Sequence, residues 1–178
     1  MRLRNAINIY LHPTEKTMST DPKLHLQQQL AASRAELMAL LESLQPAQWE
    51  VSVFSEGDPW TVNTLVGHLN ESERGMSIQI HKTRKGVETL PLDFNLERWN
   101  GELKQRIGTP SPSELLDNLV ITRAKTLEMM DTLTAADWSR IGRHPSRGLI
   151  TIEQYYETIH GHELTHTADI KRALAALV

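Results

Sequence analysis

The chain has 178 residues, 39% hydrophobic and 23% charged, which is enough for one domain with a sizeable core and too few for a second complete one. Lys+Arg 19 against Asp+Glu 22 gives a net charge of −3, so composition offers no basic surface for nucleic acid, and no uncharged apolar run reaches the ~20 residues of a membrane span. Cysteine is absent, which excludes disulfides, thiolate nucleophiles and cysteine-ligated zinc, is compatible with the cytoplasm, and leaves the chemistry to 8 His, the carboxylates and arginine.

Residues 1–18 place Arg2 and Arg4 before an apolar stretch too short for a secretory core and without a small-residue cleavage site. They read as a loose leader, with residues 19–178 as the folded domain. Asp21-Pro22 supplies an N-cap and a first-turn proline, and Leu26, Leu30, Leu37, Leu40, Leu41 and Leu44 then recur at helical spacing until Pro46. The stretch 49–58 alternates briefly like a strand, but Gly57-Asp58-Pro59 is turn chemistry, so it reads as a connector. A second helix starts near Thr61 and carries Val62, Leu65, Val66, Leu69, Met76 and Ile80 on one stripe. Residues 92–107 make a shorter amphipathic piece in which Leu96, Trp99, Leu103 and Ile107 share a face.

Ser111-Pro112-Ser113-Glu114 combines a capping box with a first-turn proline and opens a third long helix bearing Leu115, Leu119, Leu127, Met130 and Leu133. The stretch 138–149, rich in Gly, Pro and Arg, reads as loop. Thr151 caps a last helix running almost to the end, with Ile152, Tyr156, Ile159, Ile170, Leu174 and Leu177 inward. Together these elements predict an all-α protein, a four-helix bundle with a short extra helix in the connection between helices 2 and 3.

The last helix contains His160-Gly-His162-Glu-Leu-Thr-His166. His162 and His166 are i, i+4 and share a face, as two ligands of one metal ion must. Random placement of 8 His in this chain gives about 0.35 such pairs, so the spacing alone decides nothing. The face it occupies is more informative. At 100° per residue it overlaps the apolar stripe of Ile152, Tyr155, Ile159, Ile170 and Ala173, so the pair points into the bundle, where unpartnered imidazoles are costly to bury. His160 falls on the other flank. His68 lies on the edge of the second helix's stripe, followed by the small or neutral Ser72, Gly75 and Gln79, a flank that suits a polar cavity. One His from one helix and two from another would leave coordination positions open for water or substrate, the pattern of a catalytic divalent metal. Residue physics alone leaves satisfied core histidines as the alternative.

Trp60-Thr-Val-Asn-Thr-Leu-Val-Gly-His68-Leu resembles the start of the second helix in the DinB-like (DinB/YfiT) superfamily of metalloenzymes, where a Trp and a capping Thr precede the first metal His. His162-Glu-Leu-Thr-His166-Thr-Ala-Asp-Ile resembles that family's last-helix signature, His-Asp/Glu-x-x-His. The segment 94–133, with Trp99-Asn100 and its Ser-Pro-Ser-Glu-Leu-Leu start, is similar to the middle of these proteins. The resemblance spans residues 24–177. It implies a four-helix bundle that binds a divalent metal, often zinc or nickel, through the three His, and frequent homodimers. Relatives in the family include bacillithiol transferases, mycothiol-dependent maleylpyruvate isomerases and small stress-resistance hydrolases; the isomerase branch usually has Glu where this chain has His162.

Other residues are candidates for the site. Glu163 lies near the centre of an inward stripe, either as general base or orienting group, or in a buried ion pair with Arg123 from the third long helix's apolar stripe. Tyr155 either lines the mouth of the site or is core, and Trp60, like Trp99, either flanks a substrate pocket or anchors packing. Arg123 and the loop residue His144 are candidates for contacts with substrate, solvated loop being the alternative for His144.

The functional expectation is an enzyme whose three-His metal activates water or a small thiol toward a small electrophilic substrate, with no nucleic-acid or membrane partner. Without cysteine, any thiol must be a low-molecular-weight cofactor or substrate. The alternatives are a non-catalytic metal-binding stress-response protein and a dimeric helical bundle with structural histidines.

Overall fold

A computed structural model of the chain describes residues 22–55 and 57–177; the expected leader over residues 1–18 and the Asp21 cap lie outside the described residues. Helix α1 (Pro22–Glu42) is followed by a 3-10 turn (Pro46–Glu50) and the strands β1 (Ser52–Ser55) and β2 (Asp58–Thr61). Then come α2 (Val62–Arg84), α3 (Leu96–Ile107), α4 (Pro112–Asp131), β3 (Ile141–His144), β4 (Gly148–Thr151) and α5 (Ile152–Ala175). The long helices α1, α2, α4 and α5 form the bundle, with α2 packed on α4 and α5, and α1 on α5. The short α3 sits in the α2–α4 connection, as the periodicity predicts.

Local chemistry sets the helix starts. Thr61, Ser111 and Thr151 each accept the third helical backbone N–H in their side chain, and Thr64, Glu114 and Gln154 return the bond to the capping residue. Both segments read as connector or loop contain antiparallel hairpins, β1 with β2 and β3 with β4. Such hairpins are marginal alone. They persist here because Val53, Trp60 and Ile150 bury one face against the helices. Each hairpin ends on the Thr that caps the next long helix, so the turns that suggested a break in structure in fact aim α2 and α5. Two glycines permit close approach: a Cβ at Gly67 would lie 2.7 Å from Ile107 of α3, and one at Gly142 would collide with Thr83 of α2.

The core has three layers along the bundle axis. One apolar end gathers Leu37, Leu41, Trp60, Leu65, Leu119 and Ile170; the other gathers Leu30, Met76, Met130, Tyr155 and Ile159. Between them every long helix places polar residues on its buried stripe: Ser33 and Arg34, Glu73, Arg123 and Thr126, and Glu163, His166 and Thr167. Among the described residues no helix is long and apolar enough to cross a membrane.

Candidate metal centre and its cavity

The polar layer has two halves. In one, His68 of α2 meets His162 and His166 of α5, because the two helices run antiparallel and their histidines fall at one level. The His68 Nε2 lies 3.2 Å from His162 Nε2, and His166 Nε2 lies 2.9 Å from the same atom. The three offer ligand atoms all within 4.8 Å of one another. A tetrahedral metal with bonds of about 2.0–2.1 Å sets its nitrogens about 3.3 Å apart, and an octahedral face sets them about 2.9 Å apart. The two spacings to His162 match that range.

Protonation suits the same purpose. Burial first, then the His166 and Lys104 charges, push His68 down to about 3. Burial also takes His166 down to about 4, against the opposing pull of Asp169. His162 falls well below the ordinary imidazole value through burial and its two ring neighbours. All three rings are therefore neutral at pH 7, the form that binds a metal. The tautomer of His166 follows from its partner. The Ser55 hydroxyl donates its one hydrogen to Asp169 Oδ2 and lies 2.8 Å from His166 Nδ1, so Nδ1–H donates to Ser55 and the Nε2 lone pair faces His162. His68 has no such partner: its Nδ1 is buried without one, and the ring packs 4.8 Å from Trp60 and 6.4 Å from Trp99. The donor set fits a divalent cation.

The other half of the layer is ionic. Arg34 Nε donates to Glu163 at 2.6 Å and its terminal nitrogen to Glu73 at 2.6 Å. Arg123 binds Glu73 at 2.8 Å and Glu163 at 3.1 Å. Ser33 also donates to Glu163, and each guanidinium reaches a helix carbonyl, Leu119 or Leu30. Glu163 is one residue past His162, hence 100° round α5, and looks away from the imidazoles. The expectation of a general base at Glu163 is corrected, because its carboxylate is 2% exposed and fully engaged by two arginines and a serine. The same network removes Arg123 as a substrate contact; the ion-pair alternative holds, enlarged by Arg34 and Glu73.

A cavity of about 750 Å³ opens beside the histidines, between α2 and α5, with α3 and the β3–β4 turn as its other walls. His68, His162 and Trp99 line it. Tyr155 does not: it is core, its hydroxyl bonded to Arg143 O at 2.7 Å and its burial pushing its pKa up to about 12. Trp60 is also off the cavity wall, backing His68 from the core side, with the Lys104 ammonium 4.1 Å over its ring. His144 is buried, not solvated: it lines the cavity from β3, its ring 5.6 Å from Tyr155, and burial with the Arg147 charge lowers it to about 4.

Four residues escaped sequence reasoning. Arg34 and Glu73 carried a readable signal, since each interrupts an apolar stripe one turn from leucine, as Arg123 does. Asp169 lies at i+3 from His166. Ser55 had none, because its place depends on the β1–β2 pairing.

A four-helix bundle with three neutral imidazoles converging at its midplane defines a class, a helical scaffold around a candidate metal centre. The chain belongs to the DinB superfamily, whose family model matches residues 29–170. It is similar in fold to YfiT from Bacillus subtilis, described as a probable metal-dependent hydrolase with an unusual four-helix bundle topology, at 22% identity and a TM-score of 0.71 over 93% of both chains. A mycothiol-dependent maleylpyruvate isomerase matches at 16% identity and a TM-score of 0.70, over 84% of this chain and 60% of that one. A further four-helix bundle protein matches at 23% identity and a TM-score of 0.59, over 84% of this chain and 98% of its own. No curated protein matches the chain.

Proposed function

We propose that this chain is a divalent-metal enzyme, with zinc or nickel held by His68, His162 and His166, acting on a small-molecule electrophile. The observation that supports it is the convergence of three neutral imidazoles, two of them on the wall of a cavity. A divalent cation bound there supplies Lewis acidity, lowering the pKa of a water or thiol toward neutrality. The chain's own residues do the rest. Ser55 and Asp169 hold His166 in the tautomer that presents Nε2. Trp60 closes the core side of His68 against water, and Trp99 forms the substrate-side wall. Ser72 Oγ, 3.4 Å from His68 Nε2 on the cavity wall, is placed to orient a nucleophile.

Hydrolysis is the first reading. Thiol transfer is the second, favoured by a cavity larger than a water-only reaction requires and by the fold shared with a mycothiol-dependent isomerase. Metal analysis of the purified protein, followed by a screen of activated esters, amides and thiol-plus-electrophile pairs, tests both. The zinc- or nickel-loaded protein is expected to turn over at least one class, and His166→Ala to lose both the metal and the rate. Equal rates in the two proteins would remove the case for catalysis here.

A further inference from the structure

The cavity extends well past the histidines. His68 stands near one end of its α2 wall and Lys82 at the other, about 21 Å apart along the helix axis at 1.5 Å per residue. A small electrophile at the metal end leaves the far half empty of partners. That half contains a polar group in need of one. Gln79 is 8% exposed, lines the cavity, and its Oε1 has no hydrogen-bond partner. Asn100 of α3, next in sequence to the Trp99 that packs near His68, lines the same cavity, and its Oδ1 is likewise buried and unpartnered. Buried amide acceptors are ordinarily satisfied, and exceptions call for a ligand or water.

The surrounding chemistry narrows the ligand. Lys82 lies at i+3 from Gln79, on the same face of α2, and donates to Thr89 O at 3.3 Å with further N–H groups to give. Arg147 adds a second cation to the cavity wall, against the single wall carboxylate of Glu157. Met76, Leu90 and Phe94 supply apolar surface in the same cavity.

We infer that the far half of this cavity binds the amide-and-carboxylate end of an elongated acyl ligand, an N-acyl amino acid or the last residue of a short peptide. Gln79 accepts from the ligand's amide N–H, Lys82 pairs with its carboxylate, and its chain runs along the apolar wall toward the histidines. A primary amide offers both acceptor and donor, so either orientation of the Gln79 amide complements a ligand amide. The inference rests on the three-histidine reading only for what occupies the near end.

Calorimetric titration of the metal-free full-length chain with N-octanoylglycine and with its methyl ester tests it without turnover. The free acid is expected to bind about tenfold more tightly than the ester, the scale of one charge-assisted hydrogen bond. Gln79→Leu is expected to weaken both probes about tenfold, and Lys82→Ala the free acid alone. Equal dissociation constants for acid and ester, or an acid affinity that neither substitution changes, would overturn the assignment. Acetohydroxamate binding to the zinc-loaded protein reports the near end separately. Its absence would remove the metal centre and leave the distal result standing.

Discussion

The two halves of the polar layer solve the same problem in opposite ways. Both bury titratable groups at the bundle midplane between apolar ends. In the ionic half two arginines and two glutamates from four helices cancel in charge and close on themselves. In the histidine half desolvation drives the rings neutral, and their Nε2 atoms turn toward one another beside a cavity. Compensated charge resists water and fixes the helices; the clustered neutral imidazoles are the group that would hold a cation under the proposed function. The ionic half therefore carries structure, and the imidazole half is the one proposed to carry chemistry.

Removing one member of the ionic half tests that division most severely. Glu163→Ala leaves two buried guanidiniums sharing Glu73, and is expected to destabilise the protein by about 3–5 kcal/mol in denaturant unfolding. A loss below about 1 kcal/mol would mean that the four charges do not act as a closed unit.

Acid separates the halves by pH. His68 titrates near 3 when folded and near 6.5 when unfolded, so the unfolded chain binds more protons between those values and stability falls as pH drops through that window. His166, near 4 when folded, acts in the same direction. By pH 5 the His68 contribution alone is a loss of about 2 kcal/mol. Glu73 works lower. Its carboxylate is held below 4.5 by hydrogen bonding and charge from Arg123, then Arg34, against the opposing effect of burial, so its contribution is present above 4.5 and disappears as pH falls through the lower folded value. Thermal midpoints of the metal-free protein should thus decline from about pH 6.5 downward, before any carboxylate is protonated. Because the folded rings are already neutral, zinc binding at pH 6 should release almost no protons, whereas three ordinary histidines would release about two. Calorimetry in buffers of different ionisation enthalpy distinguishes the two.

Much of this division was legible in the sequence, and what was missed has a physical cause. The i, i+4 histidines, His68 on its stripe edge and the Glu163–Arg123 pair all follow from helical periodicity, which depends on neighbours in the chain. Arg34 and Glu73 obey the same periodicity but declare their role only when four helices are aligned at one level. The hairpins were hidden by Gly57-Asp58-Pro59 and by the Gly- and Arg-rich stretch before Thr151. These strands are four residues long and held by packing on helices remote in sequence. Ser55 and the part of the cavity wall formed by residues 144–147 depend on those hairpins, so neither was accessible to a reading of local pattern.

Ser55 is accordingly the sharpest test of what the hairpin adds. Ser55→Ala deprives His166 Nδ1–H of its acceptor, leaving Asp169 Oδ2 at 3.7 Å. Zinc affinity, measured by chelator competition, is expected to fall 10–100-fold, the usual range for a group that orients a metal ligand (about 1.4–2.8 kcal/mol). Unchanged affinity would mean that Asp169 alone sets the tautomer.

The smallest expected effect lies where the histidine half meets the apolar end. Lys104 holds its ammonium 4.1 Å over Trp60, 3.0 Å from Asp58 and 3.1 Å from Pro59 O, while Trp60 packs against His68. Its charge is the least of the causes that depress His68. Lys104→Met keeps most of the stem's apolar cover and deletes the ammonium, so the expected loss is about 0.5–1 kcal/mol of stability. Zinc affinity at pH 7 should change by less than about twofold, since His68 is neutral there with or without that charge. A tenfold drop in zinc affinity at unchanged stability would place Lys104 within the working half of the layer, acting on His68 through Trp60, and the boundary drawn between bracing and chemistry would have to move outward by one shell of side chains.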